Sequence, residues 1–189
     1  NGYSYYTRFE ANGNYALYCR KKIDGGEEEI MLNGPEMAKD YAYYGFGNQS
    51  VSPDNKILAY ATDVLSGRIY IVNFKNLETG EVYSDKIQGT TGGVAWANDN
   101  KTLFYTLRNE VTLLSEKVMR HKLGTDAQSD VLVYQEKDPT YYIGVYRSKS
   151  GKYIIIWNSS TLSSDYWLLD TSTPEGEFFN FCAREPKHE

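Results

Sequence analysis

The side chains best equipped for chemistry in this 189-residue sequence are His121, His188, Cys19, Cys182 and an acidic run, Glu27 to Glu29, with Asp24 close by. A hydrolytic triad on His121 would need a serine to attack and a carboxylate to orient the imidazole. His121 lies inside the run VMRHKLG, where the spacing suggests neither partner, and no Gly-x-Ser-x-Gly elbow occurs in the sequence. His188 stands one residue from the end. Zinc sites draw on clustered ligands such as HExxH or paired CxxC, whereas these histidines and cysteines come singly. The acidic run lacks the D-x-[DN]-x-[DN]-G order of a calcium loop and reads as a solvated turn beside Gly25 and Gly26. Tyr41, Tyr43 and Tyr44 offer aromatic faces to a ligand, but packing between sheets is the favoured reading. Cys19 and Cys182 are expected to be buried, reduced thiols. The expectation for catalytic, cofactor-binding and metal-ligating residues alike is therefore none.

The elements that carry these residues follow from composition and pattern. A net charge of -5 gives no broad attraction for phosphate backbones or anionic lipid, so no nucleic acid and no membrane partner is expected. No apolar run approaches the roughly 20 residues of a membrane helix, and the first residues lack a signal-peptide layout, so the chain reads as soluble. With 18 tyrosines set among Val, Ile, Thr and Phe in short runs bounded by Gly, Asn, Asp and Ser, the sequence predicts an all-β fold. One helical turn is expected over residues 35–39, capped by Asn33.

The strands repeat. SPDNKILAY, ANDNKTLFY and SKSGKYIII each set a polar turn, a lysine and an apolar strand in one order, with Lys56, Lys101 and Lys152 spaced 45 and 51 residues apart. Four strands per 45 to 50 residues is the period of a propeller blade. Both faces of KILAYATD are apolar, as a sheet stacked between two others requires. Residues 41–88, 89–138 and 139–189 thus make three blades, and residues 1–40 hold the outer strands of an incomplete first blade. About three and three-quarter blades fall short of the four to eight of a closed ring, so the expected architecture is a partial β-propeller of four-stranded antiparallel blades, a piece of a larger ring.

The runs YYTRFEANGNYALYCRKK, FGNQSVSPDNKILAYATD, IQGTTGGVAWANDNKTLFYT, VMRHKLGTDAQSDVLVYQEKD and YIGVYRSKSGKYIIIWNSS, in this order, resemble the propeller of the oligopeptidase B group of prolyl oligopeptidase-family serine peptidases. GTTGGVAWANDNKTLFYT and RHKLGT are the most telling segments. The resemblance implies a seven-bladed propeller covering an α/β-hydrolase domain that cleaves short peptides after Arg or Lys. Nucleophile, base and the acidic residues that read the basic side chain would all lie in that domain, so none is carried onto this sequence. The expected partners are the C-terminal α/β-hydrolase domain of the same protein and short peptide substrates. The fragment alone is expected to be inactive and to self-associate through its unpartnered end blades. The expected compartment is the cytoplasm, with the periplasm as the alternative. The competing reading is a TolB-like or carbohydrate-binding propeller scaffold.

Overall fold

Runs of β-branched and aromatic residues, broken by Asn, Asp and Gly, fold into fourteen antiparallel strands in a computed structural model that describes residues 2–185. Strands β1 (Tyr3–Phe9), β2 (Ala16–Lys22) and β3 (Glu29–Asn33) form one sheet in that order. A single helical turn, α1 (Gly34–Ala38), follows; the Asn33 side chain accepts the Glu36 backbone N–H at 3.1 Å and Pro35 sits in the first turn, where its missing N–H costs nothing. Next come β4 (Gly45–Val51), β5 (Ile57–Asp63), β6 (Tyr70–Asn76), β7 (Val82–Trp96), β8 (Thr102–Arg108), β9 (Ser115–Lys122) and β10 (Val131–Gln135), hydrogen-bonded in chain order as one seven-stranded sheet. The last sheet is β11 (Tyr142–Arg147), β12 (Tyr153–Ser159), β13 (Ser164–Asp170) and β14 (Phe179–Cys182).

The seven-stranded sheet is two blades sharing one strand. The sequence predicts two separate strands, EVYSDKI and GGVAWA, where β7 runs unbroken: its first half pairs with β6 (Val72 opposite Ile87) and its second half with β8 (Ala95 opposite Phe104). Gly89 and Gly92 take left-handed backbone (φ 72° and 90°) at the changeover, letting the strand turn between blades without ending. A Cβ at Gly92 would meet the Tyr70 ring at 3.2 Å and one at Gly47 would lie 2.9 Å from the Ala61 Cβ, so close backbone approach is what these glycines provide.

The repeat holds at atomic detail. Asn55, Asn100 and Gly151, third in each polar turn, all take left-handed backbone (φ 63°, 58° and 73°). The carbonyls of Lys56, Lys101 and Lys152 accept the N–H groups of Leu77, Leu123 and Thr171 at 2.7, 2.8 and 2.9 Å. Leu58, Leu103 and Ile154, two residues after each lysine, are fully buried. The register is therefore common to all three blades, and the chain is a partial β-propeller of stacked antiparallel sheets.

Two-sided strands make the stack cohere. Leu58 and Tyr60 of β5 pack toward Met31 and Leu32 of the first sheet, whereas Ala59 and Ala61 face the opposite way, joining Phe74, Trp96, Leu103 and Tyr105. Phe104 turns away from that cluster and packs with Ile143, Ile154, Ile156 and Leu169 of the last sheet. Each buried leucine or phenylalanine at these seams contributes about 1.5–3 kcal/mol.

Candidate functional site

His121 sits on β9 directly across from Asp130, the residue before β10, because Val131 pairs with Arg120. Its Nδ1 lies 2.8 Å from Asp130 Oδ1, and its Nε2 is 3.6 Å from Asp85 Oδ2, too far for a hydrogen bond. Tyr105 Oη donates to the second oxygen of Asp130 at 2.8 Å; burial, then that bond and the carboxylate charge, hold the tyrosine far above its ordinary pKa. The Phe74 ring stacks on the imidazole at 5.8 Å. His121 is 1% exposed, and its contacts span blades two and three. A sealed imidazole cannot meet a substrate; this cluster fastens a seam. The sequence reading missed both carboxylates; the hairpin pairing of β9 with β10 is the signal that could have found Asp130, whereas nothing local pointed to Asp85 on β7. His188 lies outside the described residues.

The acidic run is largely solvent-exposed, as expected, but two of its carboxylates are paired. Glu28 accepts bonds from Arg8 and from Tyr6 Oη on β1, which hold its carboxyl down at about 2, and Glu29 pairs with buried Arg20. The Arg8–Glu28 pair covers Cys19, whose thiol burial pushes upward in pKa. Among the described residues, no His, Cys, Asp or Glu cluster is arranged to hold a metal ion. Cys19 is buried as expected, but Cys182 is exposed, on β14, the outer strand of the last sheet among the described residues. Tyr44 fulfils the packing expectation through the ring ladder Tyr41–Tyr44–Phe46–Tyr18, which crosses into the first sheet, while Tyr41 and Tyr43 keep about half their surface in water.

A second polar cluster lies between blades three and four, and nothing in the sequence pattern pointed to it. Arg184, just past β14, reaches back to donate from Nη2 to Glu136 Oε2 at 2.6 Å and from Nε to Asp165 Oδ2 at 2.8 Å. Its guanidinium lies 3.5 Å over the centre of the Tyr141 ring. Burial opposes the charge on Arg184, and the two carboxylates more than offset it, so its pKa stands above that of an ordinary arginine. Desolvation likewise pushes Glu136 up, yet its bonds from Arg184 and the Asp138 and Lys137 N–H groups leave it below the usual range. Asn158, fully buried, donates to Asp165 and to Tyr134 Oη. Residues 48 positions apart cannot be paired by local spacing, so the cluster is visible only once the blades stack.

The edge strands β4 and β11 and the changeover in β7 carry the first strands of blades two to four. Between β1 and β4 opens a cleft of about 300 Å³ lined by Tyr5, Tyr6, Tyr18, Asn48 and Gln49. Thr7, Met31 and Gly47 complete its lining, which holds no His, Cys, Asp, Glu or Lys side chain.

Comparison with known proteins accounts for a folded chain of this kind. Residues 1–189 match the model of the prolyl oligopeptidase N-terminal β-propeller domain. Dipeptidyl aminopeptidase BI of Pseudoxanthomonas mexicana is 36% identical over 97% of the chain, and Protease 2 of Moraxella lacunata is 32% identical over 90%. Oligopeptidase B from Leishmania major superposes over 99% of the chain with a TM-score of 0.91 at 26% identity, and that from Trypanosoma brucei with 0.87 at 29%. The chain spans 28% and 26% of the length of the two bacterial relatives. The stacked blades, their shared register and this match along the whole sequence make the chain a member of the prolyl oligopeptidase family, part of its N-terminal β-propeller domain.

Proposed function

We propose that the chain is the non-catalytic propeller portion of a serine-type oligopeptidase that cleaves short peptides after arginine or lysine. In the intact protein it partners an α/β-hydrolase domain and restricts access to the active site, so that peptides enter and folded proteins do not. The carrying observation is the superposition of nearly the whole chain on oligopeptidase B from Leishmania major. Steric gating needs a rigid wall rather than reactive side chains, and apolar seams closed by buried Leu, Ile, Phe and Trp provide one. The 36% identity to a dipeptidyl aminopeptidase favours a second reading, removal of dipeptides from a free N-terminus.

The test uses the natural full-length protein with two chromogenic anilides, one with a blocked N-terminus and arginine before the scissile bond, the other a dipeptidyl anilide with a free N-terminus. Preference for the blocked arginyl substrate, lost on treatment with a serine-directed inhibitor, supports the endopeptidase; release of the anilide from the unblocked dipeptidyl substrate alone selects the second reading. For gating, a denatured and a folded form of one small protein are compared. Equal cleavage of the two forms refutes the restriction.

A further inference from the structure

We infer that His121 carries a proton on both ring nitrogens in the folded protein, and that this charge latches blade two to blade three until Nε2 loses its proton. Both blades have a packed sheet on either side, so the burial of this site is complete within the described residues. Geometry decides the proton count. Nδ1 lies 2.8 Å from Asp130 Oδ1, and Nε2 lies 3.6 Å from Asp85 Oδ2. A carboxylate only accepts, and a neutral imidazole has one N–H and one lone pair. Either neutral tautomer therefore turns a lone pair on a carboxylate oxygen, that of Asp130 at hydrogen-bond distance or that of Asp85 across the seam. Nε2 is buried without a hydrogen-bond partner, so no other donor relieves it. Only the imidazolium presents an N–H to both.

Charge balance points the same way. The His121 and Asp130 side chains are each 1% exposed and that of Asp85 is 10% exposed. Burial opposes a cation here, but it opposes the Asp130 carboxylate as strongly, and a buried carboxylate held by neutral donors alone is uncompensated. The remaining elements packed on the ring supply no charge. Phe74 of β6 stacks on it, and Tyr105 of β8, which burial keeps far above its ordinary pKa, donates to Asp130 as a neutral phenol. Among the described residues, His121 is the one cation within ion-pair distance of Asp85 or Asp130.

The two protons join different parts of the fold. Asp130 and Tyr105 belong with His121 to blade three, so the Nδ1 proton ties that blade to itself. Asp85 stands on the first half of β7, in blade two, so the Nε2 proton is the one that crosses the seam. The Gly124 N–H, from the turn after β9, donates to Asp85 Oδ2 and holds that carboxylate beside the ring. Loss of the Nε2 proton turns attraction into a lone pair facing a carboxylate, with no residue moved. Asp85 also lines a groove of about 380 Å³ with Ser84, Lys86, Gly124, Thr125 and Asp126, and its carboxyl gives the proton a route to water. The contact between the blades therefore changes sign with one protonation event.

The experiment uses the natural full-length protein, isotopically labelled in histidine alone, and nitrogen NMR at roughly pH 8, where an ordinary histidine has lost its charge. Signals that vanish in His121→Gln belong to His121; if that variant does not fold, the signals that move in Asp85→Asn mark them. Both ring nitrogens should show the shift of a protonated N–H, and a bare ring nitrogen at either position overturns the inference. Thermal melts of Asp85→Asn read the same proton through stability. Against an imidazolium the neutral amide removes a counter-charge, so Tm should fall by several degrees. Against a bare Nε2 the amide N–H supplies the missing donor, and Tm would rise. A rise or an unchanged Tm overturns the inference. The deficit should shrink as pH is raised and the Nε2 proton leaves; a deficit that stays constant into alkali overturns the release.

Discussion

Trp96→Phe isolates one bond that joins blades two and three. Trp96 is 1% exposed at the end of β7, its ring edge-on to Phe74 at 6.0 Å, and its indole N–H donates to the Ser50 carbonyl on β4 at 3.1 Å. Replacing indole by phenyl leaves a void of roughly 40 Å³, worth about 1 kcal/mol at about 24 cal/mol per Å³. Losing the hydrogen bond and leaving the carbonyl without its donor adds about 1 kcal/mol. The expected destabilisation is about 2 kcal/mol, or a Tm fall of about 4–8 °C for a domain of this size. Trp167→Phe is the matched control, because the Trp167 indole N–H is buried without a partner and its removal forfeits no bond. That variant should lose less than half as much. Urea unfolding of the chain, followed by circular dichroism so that loss of a fluorophore does not enter, measures both. If Trp167→Phe proves as costly as Trp96→Phe, the hydrogen bond is not what distinguishes the two indoles and the reasoning fails.

The Arg8–Glu28 pair lowers the folded carboxyl from an ordinary 4.5 to about 2, so its stabilising contribution is complete above pH 4.5 and is lost as pH falls through 2; carboxyl NMR should show a midpoint near 2 for Glu28, rising in Arg8→Ala. Gly47→Ala puts a methyl 2.9 Å from Ala61 Cβ and should cost about 1–3 kcal/mol, whereas Gly67→Ala, with its nearest neighbour at 4.0 Å, should be near neutral; thermal melts of the pair check this. The isolated chain should self-associate at tens of micromolar through the open aromatic face of the last sheet, where Tyr142, Tyr146, Tyr166 and Phe179 are exposed, and a single monomer boundary in sedimentation would contradict that.

Local chemistry made the blades legible. A turn that needs one left-handed residue and a strand apolar on both faces leave marks within ten positions, which is why Asn55, Asn100 and Gly151 could be aligned before any strand was placed. The absence of a break in β7 was not legible, because a glycine pair between two apolar runs looks the same whether the chain turns within a strand or leaves it. Cys182 was misjudged for a related reason: burial preference assumes a neighbouring sheet, and among the described residues none packs on β14. The pairing of the exposed acidic run was not legible because its partners, Arg8 and Arg20, lie on strands whose pairing fixes the distance, not on the run itself. The Arg184 cluster needed the stack of two blades before its members met.

The seams also explain how so different a sequence keeps one shape. Arg20 donates to the carbonyl of Asn55, Trp96 to that of Ser50, and Arg147 to that of Trp96, each reaching from one blade to backbone near the inner turn of its neighbour. A backbone carbonyl is present whatever the side chain, so each of these bonds constrains only its donor. The acceptor position is free to vary as long as the turn keeps its path. Packing between the sheets asks for apolar volume, which many combinations supply. Blade register is thus carried by a few long donors and by turns that need Asn or Gly. That construction allows 26% identity to coexist with a TM-score of 0.91 against the Leishmania major enzyme.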